Sequence, residues 1–114
     1  MSSRHELGRQ AEDLAADYLR NKGYTIVTRR YRAKGGEIDV VALDGDVLVF
    51  AEVRYRTNTG APPEESLTDR KLARIALAAE QYLIEAEETE RVARFDFVAV
   101  DGAEIRHIVD AFRP

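Results

Sequence analysis

Cysteine is absent from the 114 residues, which removes disulfide scaffolds, cysteine-ligated zinc and thiol nucleophiles together. His5 and His107 are the only imidazoles, too few for a multi-histidine metal site within one chain. No stretch approaches the roughly 20 apolar residues of a membrane span. Met1–Gly8 is polar and lacks the apolar run of a signal peptide. The expectation is a cytoplasmic protein with no membrane partner. Positive charge is not in excess either. At −4, with a pI near 5.2, the chain is unlike proteins that coat nucleic acid with a basic surface, which leaves only a local basic patch open. There is no glycine-rich phosphate loop, since Gly35-Gly36 alone lacks the spacing. No serine or threonine stands beside a histidine and an acid in a nucleophile pattern.

Apolar types make up 45% and charged types 33%, enough for a packed core in one domain spanning residues 1–114. Ser3 to Lys22 reads as an amphipathic helix. Leu7, Ala11, Leu14, Ala15, Tyr18 and Leu19 form its apolar stripe, Ser3 and Glu6 have capping-box spacing, and Gly23 ends it. Tyr24–Arg32 is extended and Gly35-Gly36 breaks it. Glu37–Leu43 and Asp46–Arg56 read as strands around Asp44-Gly45, a strong hairpin signal. A loop is expected over Asn58–Pro63. The second helix, Thr68–Glu88, buries Leu72, Ile75, Ala76, Ala79, Leu83 and Ala86, and its acidic end faces solvent. Val92–Val100 and Glu104–Val109 are further strands across Asp101-Gly102. The fold class is α/β in the order αβββαββ, a mixed sheet flanked by helices.

A two-residue loop at Asp44-Gly45 pairs Leu43 with Asp46, and then Val41 with Leu48, Asp39 with Phe50 and Glu37 with Glu52. Strand alternation puts Ile38, Val40, Ala42, Val47, Val49, Ala51, Val53 and Tyr55 on one face. The other face carries Val41, Leu43, Leu48 and Phe50, then Glu37, Asp39, Glu52 and Arg54. Apolar residues on both faces imply a sheet covered on both sides. The acids therefore gather at one end of a buried surface, where opposed like charges are destabilising. Asp39 and Glu52 lie on a diagonal of about 7–8 Å, within reach of one ion. Arg54 supplies one compensating charge, and a hard divalent cation such as Mg²⁺ supplies the rest. The alternative is a surface ion-pair network in which Arg54 and Arg56 neutralise the acids.

Gly8 and Glu12, Gly36-Glu37-Ile38-Asp39, Val49 through Arg56, Thr68 with Lys71, Arg94-Phe95-Asp96 and Ala111-Phe112 are similar to the YraN-type family of small bacterial proteins. The resemblance covers nearly the whole chain. It implies a restriction-endonuclease-like fold, in which an acid on one strand is followed on the next by Glu or Asp, any residue, and Lys. By that resemblance Asp39 and Glu52 are metal ligands, the Val53 carbonyl is a third, and Arg54 stands at the lysine position. Glu12 matches a helix acid that completes the site in resolvase-like members, the alternative being a solvated flank residue. Arginine stays protonated, so Arg54 stabilises phosphate charge but cannot be a general base.

Arg29, Arg30, Arg32 and Lys34 put four cations in six residues around Tyr31, a candidate phosphate grip or a charged edge strand. Arg70, Lys71 and Arg74 crowd the start of the second helix, where positive charge opposes the macrodipole unless an anion binds. Lys71, at a position matched in the family, is the better phosphate candidate. His107 reads as a structural strand histidine. The expectation is a nuclease-like protein using Mg²⁺ or Mn²⁺ to hydrolyse phosphodiesters in DNA or branched nucleic acid. Asp39 and Glu52 hold the ion, Glu37 or Glu12 are outer ligands, and Arg54 neutralises the phosphate. Arg29, Arg30, Arg32, Lys34, Arg56 and Lys71 are its nucleic-acid contacts. The rival expectation is a non-catalytic nucleic-acid or protein-binding module with a degenerate site. A homodimer is left open.

Overall fold

The computed structural model describes residues 4–56, 67–102 and 104–114. Ser3 and the Asn58–Pro63 loop lie outside the described residues, as do the side chains of His5 and Arg56. The elements are α1 (Arg4–Asn21), β1 (Thr25–Ala33), β2 (Gly36–Asp44), β3 (Val47–Arg56), α2 (Asp69–Glu85), β4 (Ala93–Asp101) and β5 (Glu104–Ile108). The expected order αβββαββ holds. The strands form one mixed sheet ordered β1-β2-β3-β4-β5. Only β3 and β4 are parallel, so the chain crosses over between them through α2.

Each helix end has a local cause. Gly23, at φ +97, lets its own amide bond to Arg20 and the Tyr24 amide to Leu19, which closes α1 as a Schellman motif. The Thr68 hydroxyl caps α2 by accepting from the Lys71 amide at 3.2 Å. The stripe of α1 is rotated from the sequence expectation. Ala11, Glu12, Ala15, Ala16 and Leu19 are buried while Leu14 is exposed, so the helix turns an acid inward in place of a leucine. On α2 the buried residues are Ile75, Ala78 and Ala79, and Ala86 faces solvent.

The sheet is sandwiched between two apolar clusters. α1 packs with Val40, Ala42, Val49, Ala51, Val53 and Val98. α2 packs on the opposite face with Ile38, Val41, Leu48 and Phe50. The predicted division of faces is therefore right for Val40–Leu43 and Leu48–Val53, and wrong for Ile38, which lies on the α2 side. Gly36 fits beneath α2 because it has no Cβ. An added methyl there would sit 2.0 Å from the Arg74 carbonyl oxygen.

The β2–β3 register corrects the sequence expectation by two residues. Asp44 pairs with Val47, Leu43 with Leu48, Val41 with Phe50 and Val40 with Ala51. The loop is Gly45-Asp46, with the glycine at φ +60 in the first loop position. Glu37 is therefore not opposed to Glu52, and Asp39 is not opposed to Phe50. The last hairpin has the same form, with Asp101 paired to Glu104 and Gly102 at φ +61.

Beneath the end of α1, Asp96 is fully buried on β4 and fully satisfied. It accepts from His107 Nε2 at 2.7 Å, Arg94 Nε at 3.0 Å and the Asp110 amide at 2.9 Å. Burial pushes its pKa up, but these bonds from His107, Arg94 and the Asp110 amide outweigh burial and hold it below the ordinary value. His107 Nδ1 faces Lys22 Nζ at 3.0 Å, and because an ammonium only donates, Nε2 carries the proton given to Asp96. The structural reading of His107 stands. Removing one partner of such a network strands the others away from water. Asp96→Ala is expected to lower unfolding free energy by about 3–5 kcal/mol, read from urea denaturation.

Candidate metal centre

The site begins with an irregularity shared by β1 and β2. Arg29 pairs with Val40 and Tyr31 with Ile38, leaving Arg30 and Asp39 between them without a ladder pair. Arg30 has φ +54, a left-handed conformation that costs a side-chain-bearing residue about 1–2 kcal/mol. Successive strand residues ordinarily point to opposite faces. Here both Arg29 and Arg30 turn to the α1 side, where they reach Glu12 at 3.3 and 3.2 Å. On β2 the alternation slips at the facing position, with Ile38 on the α2 side and Val40 on the α1 side. Asp39 is the residue at the slip. Its Oδ2 accepts from the Val53 amide at 2.8 Å, beyond the last β2–β3 pair at Val40 and Ala51.

Glu52 sits next to that bond and is 5% exposed. Burial is the main cause that drives its pKa far above the ordinary 4.5. A hydrogen bond with Asp39 and the charge of Asp39 add to the rise, Arg54 opposes it, and Glu37 adds a little. Burial beside Asp39 thus favours the protonated form of Glu52. Two cations approach the same oxygen, Lys71 Nζ at 3.8 Å from Glu52 Oε1 and Arg54 at 4.0 Å. Both are at the long limit of an ion pair. Arg54 Nε is buried without a hydrogen-bond partner among the described residues. Glu37, Ile38, Asp39, Phe50, Ala51, Glu52 and Ile75 line the crevice, which leaves no room for a water molecule beside the carboxyls.

The other expected site residues are distributed differently. Glu37 is half in solvent and lies 3.6 Å from Arg32. Glu12 is buried under Arg29 and Arg30, on the α1 side of the sheet, rather than beside Asp39 and Glu52. Arg29 also binds Asp13. In the run Arg29–Lys34 three of the four cations pair with acids, and Lys34 alone is exposed without such a pair among the described residues. Arg56 ends β3, with its side chain outside the described residues. Lys71 is the residue whose place the sequence left undecided. Its helix position, one turn after the Thr68 cap, aims it at Glu52.

Among the described residues no three of His, Cys, Asp and Glu converge into an all-side-chain metal cage. Asp39 and Glu52 supply carboxylate oxygens of the hard type that a cation such as Mg²⁺ takes. Val53 adds a donor of the same hard type. A strand residue presents its N–H and C=O to the same edge, so the Val53 carbonyl shares the edge where its amide meets Asp39.

The raised pKa of Glu52 has a measurable consequence in metal-free protein. Because the folded-state pKa of Glu52 is raised, its contribution to stability is complete below the ordinary 4.5 and is lost as pH rises toward the raised value. The loss is at most about 1.4 kcal/mol per pH unit. With chelator present, Glu52→Gln is expected to flatten the decline of unfolding free energy between pH 5 and pH 9 (about four units). Urea denaturation across that range checks it, and equal slopes for both proteins would refute the raised pKa of Glu52.

A profile of the Uncharacterised protein family UPF0102 matches residues 11–100. The UPF0102 protein of Carboxydothermus hydrogenoformans is 40% identical over 112 residues, covering 97% of this chain and 95% of the relative. That of Chlorobium limicola is 44% identical over 119 residues, covering 95% and 92%. The UPF0102 protein of Pelotomaculum thermopropionicum is 48% identical over 99 residues, covering 86% and 82%. With the matched profile spanning both carboxylates, Arg54 and Lys71, the chain belongs to the UPF0102 family, the YraN-type family that its motifs resemble.

Proposed function

We propose that this protein is a restriction-endonuclease-like, divalent-metal-dependent nuclease acting on DNA or branched nucleic acid by phosphodiester hydrolysis. The observation that carries the reading is Asp39 turned out of strand alternation to meet Glu52 in a crevice, with Lys71 and Arg54 at its border. A buried carboxyl pair is unfavourable for folding and needs another reason to exist. Asp39, Glu52 and the Val53 carbonyl would hold Mg²⁺ or Mn²⁺. Bound there, the ion would supply Lewis acidity and lower the pKa of a nearby water. Lys71 and Arg54 would each hold a phosphate oxygen, Arg54 with the Nε that lacks a partner among the described residues. Lys71 brings from α2 the lysine that β3 lacks. Arg70 and Arg74, on the same helix, extend positive charge along the strand of a bound nucleic acid.

Incubation with structured DNA and Mg²⁺ or Mn²⁺ tests the chemistry. Cleavage is expected from wild type and is expected to fall at least about a hundredfold in Glu52→Ala and in Asp39→Ala. Calorimetry with Mn²⁺ should show one site in wild type and none in Asp39→Ala. Undiminished cleavage by Glu52→Ala would sink the mechanism. A second reading, a binding module with a retired site, is favoured by Arg54 at the lysine position and by the closed crevice. It predicts a steep salt dependence of DNA binding with no product.

A further inference from the structure

Glu12 is an acid buried on the opposite side of the sheet from Glu52, and the reading above leaves it without a role. Its carboxylate takes Arg29 through one oxygen and Arg30 through the other. These two arginines are adjacent in sequence, so a regular strand would send one of them to the α2 side. The left-handed φ of Arg30 lets both reach the same acid. Directly across β2, at the matching position, Asp39 leaves the alternation and takes the Val53 amide. Beyond Arg30 and Asp39 both strands resume with the opposite phase: Tyr31 and Ile38 face α2, where Tyr31 meets Tyr82. One extra half-step is thus inserted in two paired strands at the same level. The electrostatic clamp is on one face of the sheet and the carboxyl pair is on the other.

We propose that Glu12 is a positioning residue which, by clamping Arg29 and Arg30 together, holds the left-handed turn at Arg30 that places Asp39 on the Val53 amide beside Glu52. Glu12 needs no contact with an ion or a substrate for this. The inference rests on Asp39 and Glu52 being the functional pair, but the structural coupling is tested without metal. Hydrogen exchange of the Val53 amide reports the Asp39 bond directly, with the Val41 and Val49 amides of the same two strands as references.

In Glu12→Ala the Val53 amide is expected to exchange at least about tenfold faster while Val41 and Val49 are unchanged. Glycine adopts a left-handed φ without a Cβ penalty. Adding Arg30→Gly to Glu12→Ala is therefore expected to restore Val53 protection, which general repair of packing would not do. Should Glu12→Ala fold poorly, Glu12→Gln keeps the volume, removes the charge and is read in the same way. An unchanged Val53 rate, a uniform rise across β2 and β3, or failure of Arg30→Gly to restore protection overturns the proposal. Mn²⁺ calorimetry on the same proteins separates the two claims. Absence of binding by wild type removes the metal reading and leaves the coupling to stand or fall on Val53 alone.

Discussion

A carboxyl group removed from water must find a proton, a cation or a set of donors, and the sheet is arranged around two different answers to that demand. Asp96 is answered by His107, Arg94 and a backbone amide at ordinary hydrogen-bond distances. Glu52 has a pKa raised by burial and by Asp39 beside it, and two cations stand near 4 Å. The first arrangement is closed. It ties β5 and the chain after it to the sheet and to the end of α1, and it has no capacity left for a ligand. The second is open in the chemical sense. Among the described residues its cations stand at the long limit of an ion pair, and the Arg54 Nε has no acceptor.

The layering of the fold was legible from residue patterns because both faces of β2 and β3 are apolar near their turn. That forces helices onto both sides, and α1 and α2 are the two helices among the described residues. Asp44-Gly45 correctly marked a hairpin yet misled the register. Two conformations satisfy such a dipeptide, one with both residues in the loop and one with glycine first. The second prevails at Gly45 and again at Gly102. A shift of two keeps every side chain on its face, which is why the division of faces survived the wrong pairing. It also moved Glu37 away from Glu52 and brought Asp39 to the level of Glu52, so the two neighbouring acids are Asp39 and Glu52.

The slip at Asp39 was beyond the reach of alternation rules, since those rules assume the regularity it breaks. The signal lay in charge, not hydropathy. Arg29 and Arg30 looked like half of a basic patch, but a run of cations beside a helix that carries Glu12 and Asp13 has a nearer partner than any phosphate. The same attraction explains why α1 turns Glu12 inward and leaves Leu14 in solvent. Burial of one leucine gives roughly 1.5–3 kcal/mol. Leaving two partly buried guanidinium groups and an acid unpaired would cost more, so electrostatics sets the rotation of the helix.

The position of Lys71 follows from packing more than from charge. β3 and β4 are parallel, so the crossover must return along the sheet, and α2 lies over β2 with Gly36 giving it close approach near Arg74. Thr68 fixes where the helix starts, and Lys71 therefore leaves the first turn directly above Glu52. A positive charge at a helix N-terminus opposes the macrodipole and is ordinarily disfavoured. Here it is offset by a buried acid that lacks close donors. The unfavourable placement and the unsatisfied acid are thus one feature seen from two elements. A bound anion bridging Lys71 and Arg54, with a cation on the carboxyl pair, would relieve both at once. Under the proposed function the helix dipole, the acid pair and the Arg54 guanidinium would each gain a counter-charge from the bound ions.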